Sequence, residues 1–325
     1  MNDDHITGAI IVLGFPDSFV KLSNEGVSKI APLVGLGNKH GIKAGHSALC
    51  TVNYSTGDID YYDFGRYITP DGYGRTRNVE TDEELHIPIQ ADIQDNKIVN
   101  INEILRWLEA HPEKTHGKGV MFASVCHEIN INKANRFIKK IHTKGSIPYG
   151  VFVKQGSNCS RFVFNTIKAS CVNTKILKNM KWESLITPSP LGVLSRASSS
   201  GTIYKVKNSK VTQRKPFSTV SSWRYLFDKI TPKKKKEQEC SLTNTQQLKG
   251  IGSSAHFKLE KTQIKNEYKI TRYNEKEEID CENIFIPDAS SFIPDEDYRF
   301  VYDSNCHHCH IQQKGIIYRF NKKEV

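Results

Sequence analysis

Residues 8–15, Gly-Ala-Ile-Ile-Val-Leu-Gly-Phe, are apolar almost throughout. They alternate too little for a surface strand and read as a buried one. Residues 21–36 are apolar with glycine interruptions, which predicts a short helix and loop. Residues 45–52 read as a strand, 54–58 as a turn, and 59–64 as the return strand of a hairpin. The Gly- and Tyr-rich stretch 65–77 reads as an ordered loop, and 84–91 as another strand. Ile104, Leu105 and Leu108 stand at helical spacing within 102–110. Residues 119–125 predict a strand. Asn130 or Asn132 then caps a helix that runs to about His142. Gly156-Ser157-Asn158 lead into an apolar run at 162–169, so Cys159 opens a helix. Residues 185–194, with Pro188 and Pro190, close this half of the chain.

Beyond residue 196 the pattern lapses into serines, glycine and a four-lysine run at 233–236. Residues 197–244 therefore read as a linker, with a local element at 223–227. Pattern returns at 245–325. Residues 255–259, 267–273, 283–286, 298–302 and 315–320 are short strand-like stretches separated by turns, which suggests a small β-rich domain. The expected organisation is an α+β domain over 1–196, a basic linker over 197–244 and a β-rich domain over 245–325.

The net charge of +11 fits this division. Residues 196–240 hold 12 Lys and Arg against 3 Asp and Glu, so most of the excess lies in the linker. A basic linker is then the reading, rather than a nucleic-acid-binding face. No apolar run reaches the roughly 18 residues needed to cross a bilayer. No cationic segment and cleavage site mark a secretory signal, so the default address is the cytoplasm, with export by a route that needs no cleaved signal left open. The eight cysteines are scattered over a long chain, which does not indicate a disulfide framework.

Cys159 has the setting of a nucleophile. Small polar residues lead into it and an apolar helix leads out. The unpaired amides and positive dipole end of a helix start stabilise a thiolate and an oxyanion. The base is expected on an adjacent rigid strand, and His46 follows Gly45 at the start of one. A hairpin turn centred near residues 54–55 brings Asp63 opposite His46, as the group that orients the imidazole. Asp58 and Asp60 are weaker choices. Asp63 has a second possible role, pairing with Arg66 or Arg75 to organise the loop.

A Gly-His strand, a return strand with a polar residue, and a distant Asn-Cys-x-x-Phe-Val at a helix start resemble the circularly permuted papain-like proteins. These include the permuted NlpC-type hydrolases and the lecithin:retinol acyltransferase-like group. In that group histidine precedes cysteine, as here. The stretches 62–67 (Tyr-Asp-Phe-Gly-Arg-Tyr), 72–77 (Gly-Tyr-Gly-Arg-Thr-Arg) and 147–150 (Ile-Pro-Tyr-Gly) also resemble an uncharacterised domain-of-unknown-function family found among Bacteroidetes. The resemblance covers roughly residues 8–195. It implies a permuted papain-like fold, Cys159 as nucleophile and His46 as base. The acyltransferase-like group has histidine at the third position where this chain offers Asp63, so lipid acyl transfer is not carried over.

The resulting expectation is a cysteine peptidase or amidase acting on a peptide or acyl-bearing substrate, without a cofactor. A thiol acyltransferase and a non-catalytic binding module that kept the fold are the alternatives. Gln155 is a weak candidate for an oxyanion donor, by resemblance to the upstream glutamine of papain-like enzymes. Tyr149 is a candidate lining residue. Arg66, Arg75, Arg77 and Arg161 are candidates to hold a carboxylate-bearing substrate. Two rivals are weighed against Cys159. In Cys126-His127-Glu128, neighbouring strand residues point to opposite faces, so the dyad is not expected to form. Cys306-His307-His308-Cys309-His310 is half a zinc pattern. Cys281 and His256 match no familiar spacing for its completion, so a metal-free β-turn is expected there.

Overall fold

The computed structural model describes residues 5–20, 42–43, 45–150, 153, 155–181, 188–218, 221–222 and 241–324. The helix expected at 21–36, the element at 223–227 and the lysine run lie outside them. No helix among the described residues is long and apolar enough to cross a membrane.

The chain is a mixed α+β protein built on two antiparallel sheets. The first contains β1 (Gly8–Phe15), β2 (His46–Asn53), β3 (Ile59–Gly65), β4 (Tyr73–Arg77), β5 (Met121–Ile129), β6 (Ile147–Pro148), β7 (Ile203–Lys207) and β8 (Lys210–Arg214). Their spatial order is β6-β4-β3-β2-β1-β5-β7-β8. β1 lies in the middle and buries every residue, which explains its unbroken apolar run. Its two faces feed two cores. Ile10 and Val12 join Leu49, Phe64 and residues of α2 (Ile131–His142), α3 (Cys159–Ser170) and α5 (Pro190–Ala197). Ala9, Ile11 and Leu13 join Ala48, Cys50, Tyr61 and the apolar stripe Ile101, Ile104, Leu105 and Leu108 of α1 (Ile101–Ala110). Helix α4 (Thr174–Lys181) packs beside α5. Each fully buried Leu, Ile or Phe contributes about 1.5–3 kcal/mol, so this double-sided burial is the main source of stability.

Five expectations need correction. Residues 73–77 form strand β4 rather than continuing the loop. Arg75 and Arg77 are expected to hold a carboxylate-bearing substrate, but both are buried and paired with the protein's own carboxylates. Residues 84–91 form no ladder. A 3-10 turn at Glu83–Leu85 is followed by chain that buries Leu85, Ile87 and Ala91, so alternating burial occurs without strand pairing.

Residues 203–214, expected within the linker, form the hairpin β7–β8 and extend the main sheet past β5. Ile203 is buried in the core on one face of the sheet and Val206 in the core on the other, so between exposed lysines they leave no two-residue alternation to read. Asn208 and Ser209 make its turn with positive φ of 51° and 61°. Their amides both donate to the Glu109 carboxylate on α1, at 2.8 and 3.1 Å. Finally, Cys281 and Cys306 form a disulfide, so the cysteines are not all single. Their closeness comes from sheet pairing, which no linear spacing discloses.

The second sheet contains β9 (Gln246–Leu248), β10 (Ala255–Lys261), β11 (Tyr268–Tyr273), β12 (Ile279–Pro287), β13 (Arg299–Val301), β14 (His308–Gln313) and β15 (Ile316–Lys322). Its order is β9-β10-β11-β12-β15-β14-β13. The sheet curls around Phe257, Ile270, Phe285 and Phe320 until β9 meets β13. The Gln246 side chain joins the two rims: its Nε2 donates to Tyr298 O at 3.0 Å, and its Oε1 accepts from Phe300 N at 2.8 Å.

The two sheets are joined through residues 66–84. Ile68 N donates to Ser253 O (2.9 Å), Gly252 N donates to Arg66 O (2.8 Å), and the Ile68 side chain is buried in the second core. Ion pairs from Asp82 and Glu84 to Arg272 extend this junction.

Candidate active site

Helix α3 begins at Cys159 because Asn158 caps it. The Asn158 side chain accepts from Arg161 N at 2.9 Å. Cys159 is the first helical residue, where its amide has no intrahelical acceptor and the dipole favours an anion. The thiol is only 7% exposed.

His46 opens β2, directly after Gly45. That glycine has φ +68°, and a Cβ there would lie 3.0 Å from Pro190. A side chain at position 45 would therefore be strained where the chain turns into the strand. Asp63 pairs with Ala48 across the hairpin, not with His46. The turn is centred between residues 55 and 56, one place later than the sequence suggested, so Asp63 sits diagonally from the histidine. The pair still meets as an ion pair: His46 Nε2 is 3.4 Å from Asp63 Oδ2, a distance longer than an ordinary hydrogen bond, and this buried nitrogen has no hydrogen-bond partner among the described residues. With Nε2 turned to Asp63, Nδ1 is the nitrogen left for the Cys159 thiol, with which the ring interacts.

Asp63 is fully buried and held from three sides. Arg77 Nε donates to Oδ1 at 3.0 Å, Arg77 Nη2 to Oδ2 at 2.6 Å, and Tyr61 OH to Oδ2 at 3.1 Å. Arg77 itself lies 4.0 Å over the Tyr67 ring and donates to Lys114 O at 3.0 Å. The alternative pairing of Asp63 with Arg66 or Arg75 does not occur. Arg77 takes that place, and Asp63 serves both Arg77 and His46.

The charges follow from these contacts. Burial opposes ionisation of Cys159, but His46, the Ser47 amide and Tyr149 outweigh it and lower the thiol's pKa. Burial alone would lower the pKa of His46. Asp63 and Cys159 reverse this and raise it to about 9. Burial would raise that of Asp63, yet the Arg77 charge holds its carboxyl well below the usual range. The opposed shifts of thiol and imidazole favour a thiolate–imidazolium pair near neutral pH.

The remaining expected residues separate into two groups. The Tyr149 hydroxyl stands 3.8 Å from Cys159 Sγ, its ring stacks on Phe64, and the Arg66 guanidinium lies 5.1 Å over it. Tyr149 therefore borders the thiol, and Arg66 stands on the Tyr149 ring. Arg75 does not. Its Nη1 and Nη2 grip Asp82 at 2.7 and 2.9 Å, and it is buried, so it is a structural residue. Arg161 donates to the carbonyls of Val153 (3.1 Å) and Gly156 (3.5 Å), bracing the loop before α3. Gln155 is exposed on that loop and lines a cavity with Ile141, Phe162 and Asn165 rather than with the thiol. Sequence reasoning missed the Ser47 amide as a donor to sulfur, since backbone donors leave no residue signature.

The rivals do not assemble. Cys126 Sγ lies 3.8 Å from Cys171 Sγ, while the His127 ring binds Tyr54 OH at 3.0 Å. Cys306 is bonded to Cys281, and Cys309 is buried within β14 with its thiol 3.4 Å from Asn305 O. The expected turn is followed at once by a strand. Among the described residues no three His, Cys, Asp or Glu are grouped to hold a metal.

A family described as type VI secretion system effector TseH-like matches residues 10–176, which span His46, Asp63, Tyr149 and Cys159. A second, the DUF6695 C-terminal domain, matches residues 245–323. The crystal structure of the type VI secretion system effector TseH is similar at 17% identity with a TM-score of 0.45, covering 65% of this chain and 99% of that one. No curated protein matches the chain. The chain belongs to the TseH-like family of type VI secretion system effectors.

Proposed function

We propose that the chain is a cysteine hydrolase of the permuted papain-like kind that cleaves an amide bond. The observation that carries this reading is the placement of His46 between Asp63 and the Cys159 thiol at a capped helix start. The Cys159 thiolate attacks the carbonyl carbon, and the negative charge moves to the carbonyl oxygen. The Cys159 amide and the Tyr149 hydroxyl, rather than Gln155, are the donors for that oxygen. As the C–N bond breaks, His46 gives its proton to the leaving amine. His46 then takes a proton from water, whose oxygen attacks the thioester and releases the acid and the free thiolate. Asp63 keeps the imidazole oriented throughout.

Peptides of the cell wall and exposed protein segments are the substrate classes that fit this chemistry. As a secretion effector the chain would act in a target cell, reached by the signal-independent export that the sequence leaves open. The test is to incubate the full chain with peptidoglycan stem peptides and with a panel of proteins, and to follow cleavage by mass. Cleavage that disappears in Cys159→Ala is expected. Cleavage that survives this change, or a Cys159 that iodoacetamide labels no faster than the other cysteines at pH 7, would overturn the reading.

A further inference from the structure

The candidate triad is the end of a longer row of buried charges. Arg272, on β11 of the C-terminal sheet, is only 1% exposed. Its Nη1 contacts Asp82 Oδ1 at 3.0 Å and Thr81 O at 3.2 Å. Its Nη2 contacts Glu84 Oε2 at 3.2 Å, and its Nε lies 3.2 Å from Asp280 Oδ2. The other oxygen of Glu84 lies 4.0 Å from Arg77 Nη1. Arg77 in turn forks onto Asp63, whose Oδ2 faces His46. Charges alternate along the row Arg272, Glu84, Arg77, Asp63, His46, and the row crosses from one domain to the other.

We propose that Arg272 is a positioning residue for the His46–Asp63 pair, acting through Glu84, Asp82 and Arg77. This rests on the cysteine hydrolase reading above. Arg77 is the only guanidinium that touches Asp63 among the described residues, and it also faces Glu84 and the charge of Asp82. Arg272 neutralises Asp82, Glu84 and Asp280 from the far side. Arg77 is thereby left with both of its Asp63 bonds. Without Arg272, Asp82 and the partly buried Glu84 are left to Arg75 and Arg77, and Arg77 is drawn toward Glu84 and away from Asp63. Asp63 then loses its fork, and the imidazole loses its fixed acceptor. The other titratable groups facing this junction are Tyr61 and Tyr67 beside Asp63, His116 stacked on Tyr67, and the Cys309 thiol near Arg272.

The row makes the C-terminal domain part of the active-site frame rather than an appended module. It also separates Arg272 from contacts that merely dock the domains. Lys322 Nζ pairs with Glu83 Oε1 at 2.6 Å, outside the row.

The test is the pH dependence of Cys159 alkylation by iodoacetamide, read by mass in the full-length protein. Variants are Arg272→Met, Arg272→Lys and Lys322→Met, each with a thermal melt to confirm folding. In the wild type, labelling persists below the ordinary thiol range. Arg272→Met is expected to shift the acid limb upward by about one unit and to cut labelling at pH 6 about tenfold. Arg272→Lys keeps the charge but cannot span three carboxylates, so it gives a smaller shift in the same direction. Lys322→Met leaves the limb in place. A folded Arg272→Met with the wild-type limb overturns the inference. So does an equal shift in Lys322→Met, which would make domain docking the cause. If Arg272→Met does not fold, an unshifted Arg272→Lys decides against the inference in the same way. An ordinary thiol profile in the wild type would instead remove the hydrolase reading beneath it.

Discussion

Helix α3 carries a cysteine at each end. Cys159 is its first residue and Cys171 caps its last turn. Both are 7% exposed and both belong to one apolar helix. Their surroundings differ. Cys159 meets an imidazole, a backbone amide and a tyrosine hydroxyl at the positive end of the helix dipole. Cys171 lies at the negative end against a second thiol, Cys126, whose hydrogen bond lowers the Cys171 pKa while that bond and burial push up the pKa of Cys126. Burial and a lowered thiol are therefore common to both ends of the helix. What Cys159 has and Cys171 lacks is an imidazole base beside it.

The largest effect that would break this comparison comes from Cys159 itself. Cys159→Ala is expected to lower amide cleavage by at least about 10⁴-fold, measured on whichever peptide the wild type cleaves. The same change at Cys171 should leave the rate within about twofold.

Asp63→Asn comes next. It removes the carboxylate that orients His46 and also leaves Arg77 buried without its partner. Turnover should fall about 10²- to 10⁴-fold. Stability should fall by about 3–5 kcal/mol, as is usual when one partner of a buried pair is lost. Kinetics together with a urea melt will read both, and an unchanged turnover would remove Asp63 from the site.

pH sharpens the contrast further. His46 titrates near 9 in the folded chain, above its unfolded value of about 6.5. Its contribution to stability is thus complete below about 6.5 and is lost as pH rises through 9. The melting temperature of the wild type should therefore fall toward that of His46→Asn between pH 6.5 and 9.5. A constant gap over this range would contradict the ion-pair assignment. The lowered thiol of Cys159 has the opposite sign: the thiolate is lost as pH falls through its folded pKa.

The smallest effect is at the other end of the helix. Cys171→Ala should cost about 1–2 kcal/mol by urea unfolding and leave the alkylation rate of Cys159 unchanged.

How much of this was legible depended on distance along the chain. The Asn158–Cys159 helix start was readable because a cap acts on residues three positions away. The β2–β3 hairpin was readable for the same reason, although the turn slipped by one place and moved Asp63 off the His46 rung. Arg75 and Arg77 were misjudged as solvent- or substrate-facing. A buried arginine differs from an exposed one only through its partner, and Asp82 and Asp63 reach them through strand pairing and loop return. The β7–β8 hairpin was hidden by its lysines and by the placing of Ile203 and Val206 on opposite faces, which leaves no alternation to read. The Cys281–Cys306 bond and the Arg272 contacts depend on the register of sheets that a single sequence does not fix.

The Gln246 clasp at the seam of the C-terminal sheet has a consequence for solubility. Two free rims would present unpaired amides and carbonyls to any passing chain, and such rims seed edge-to-edge aggregation. One glutamine side chain, standing in for a backbone rung between Tyr298 and Phe300, shields this rim from foreign strands. Part of this sheet's resistance to clumping then rests on a single amide group.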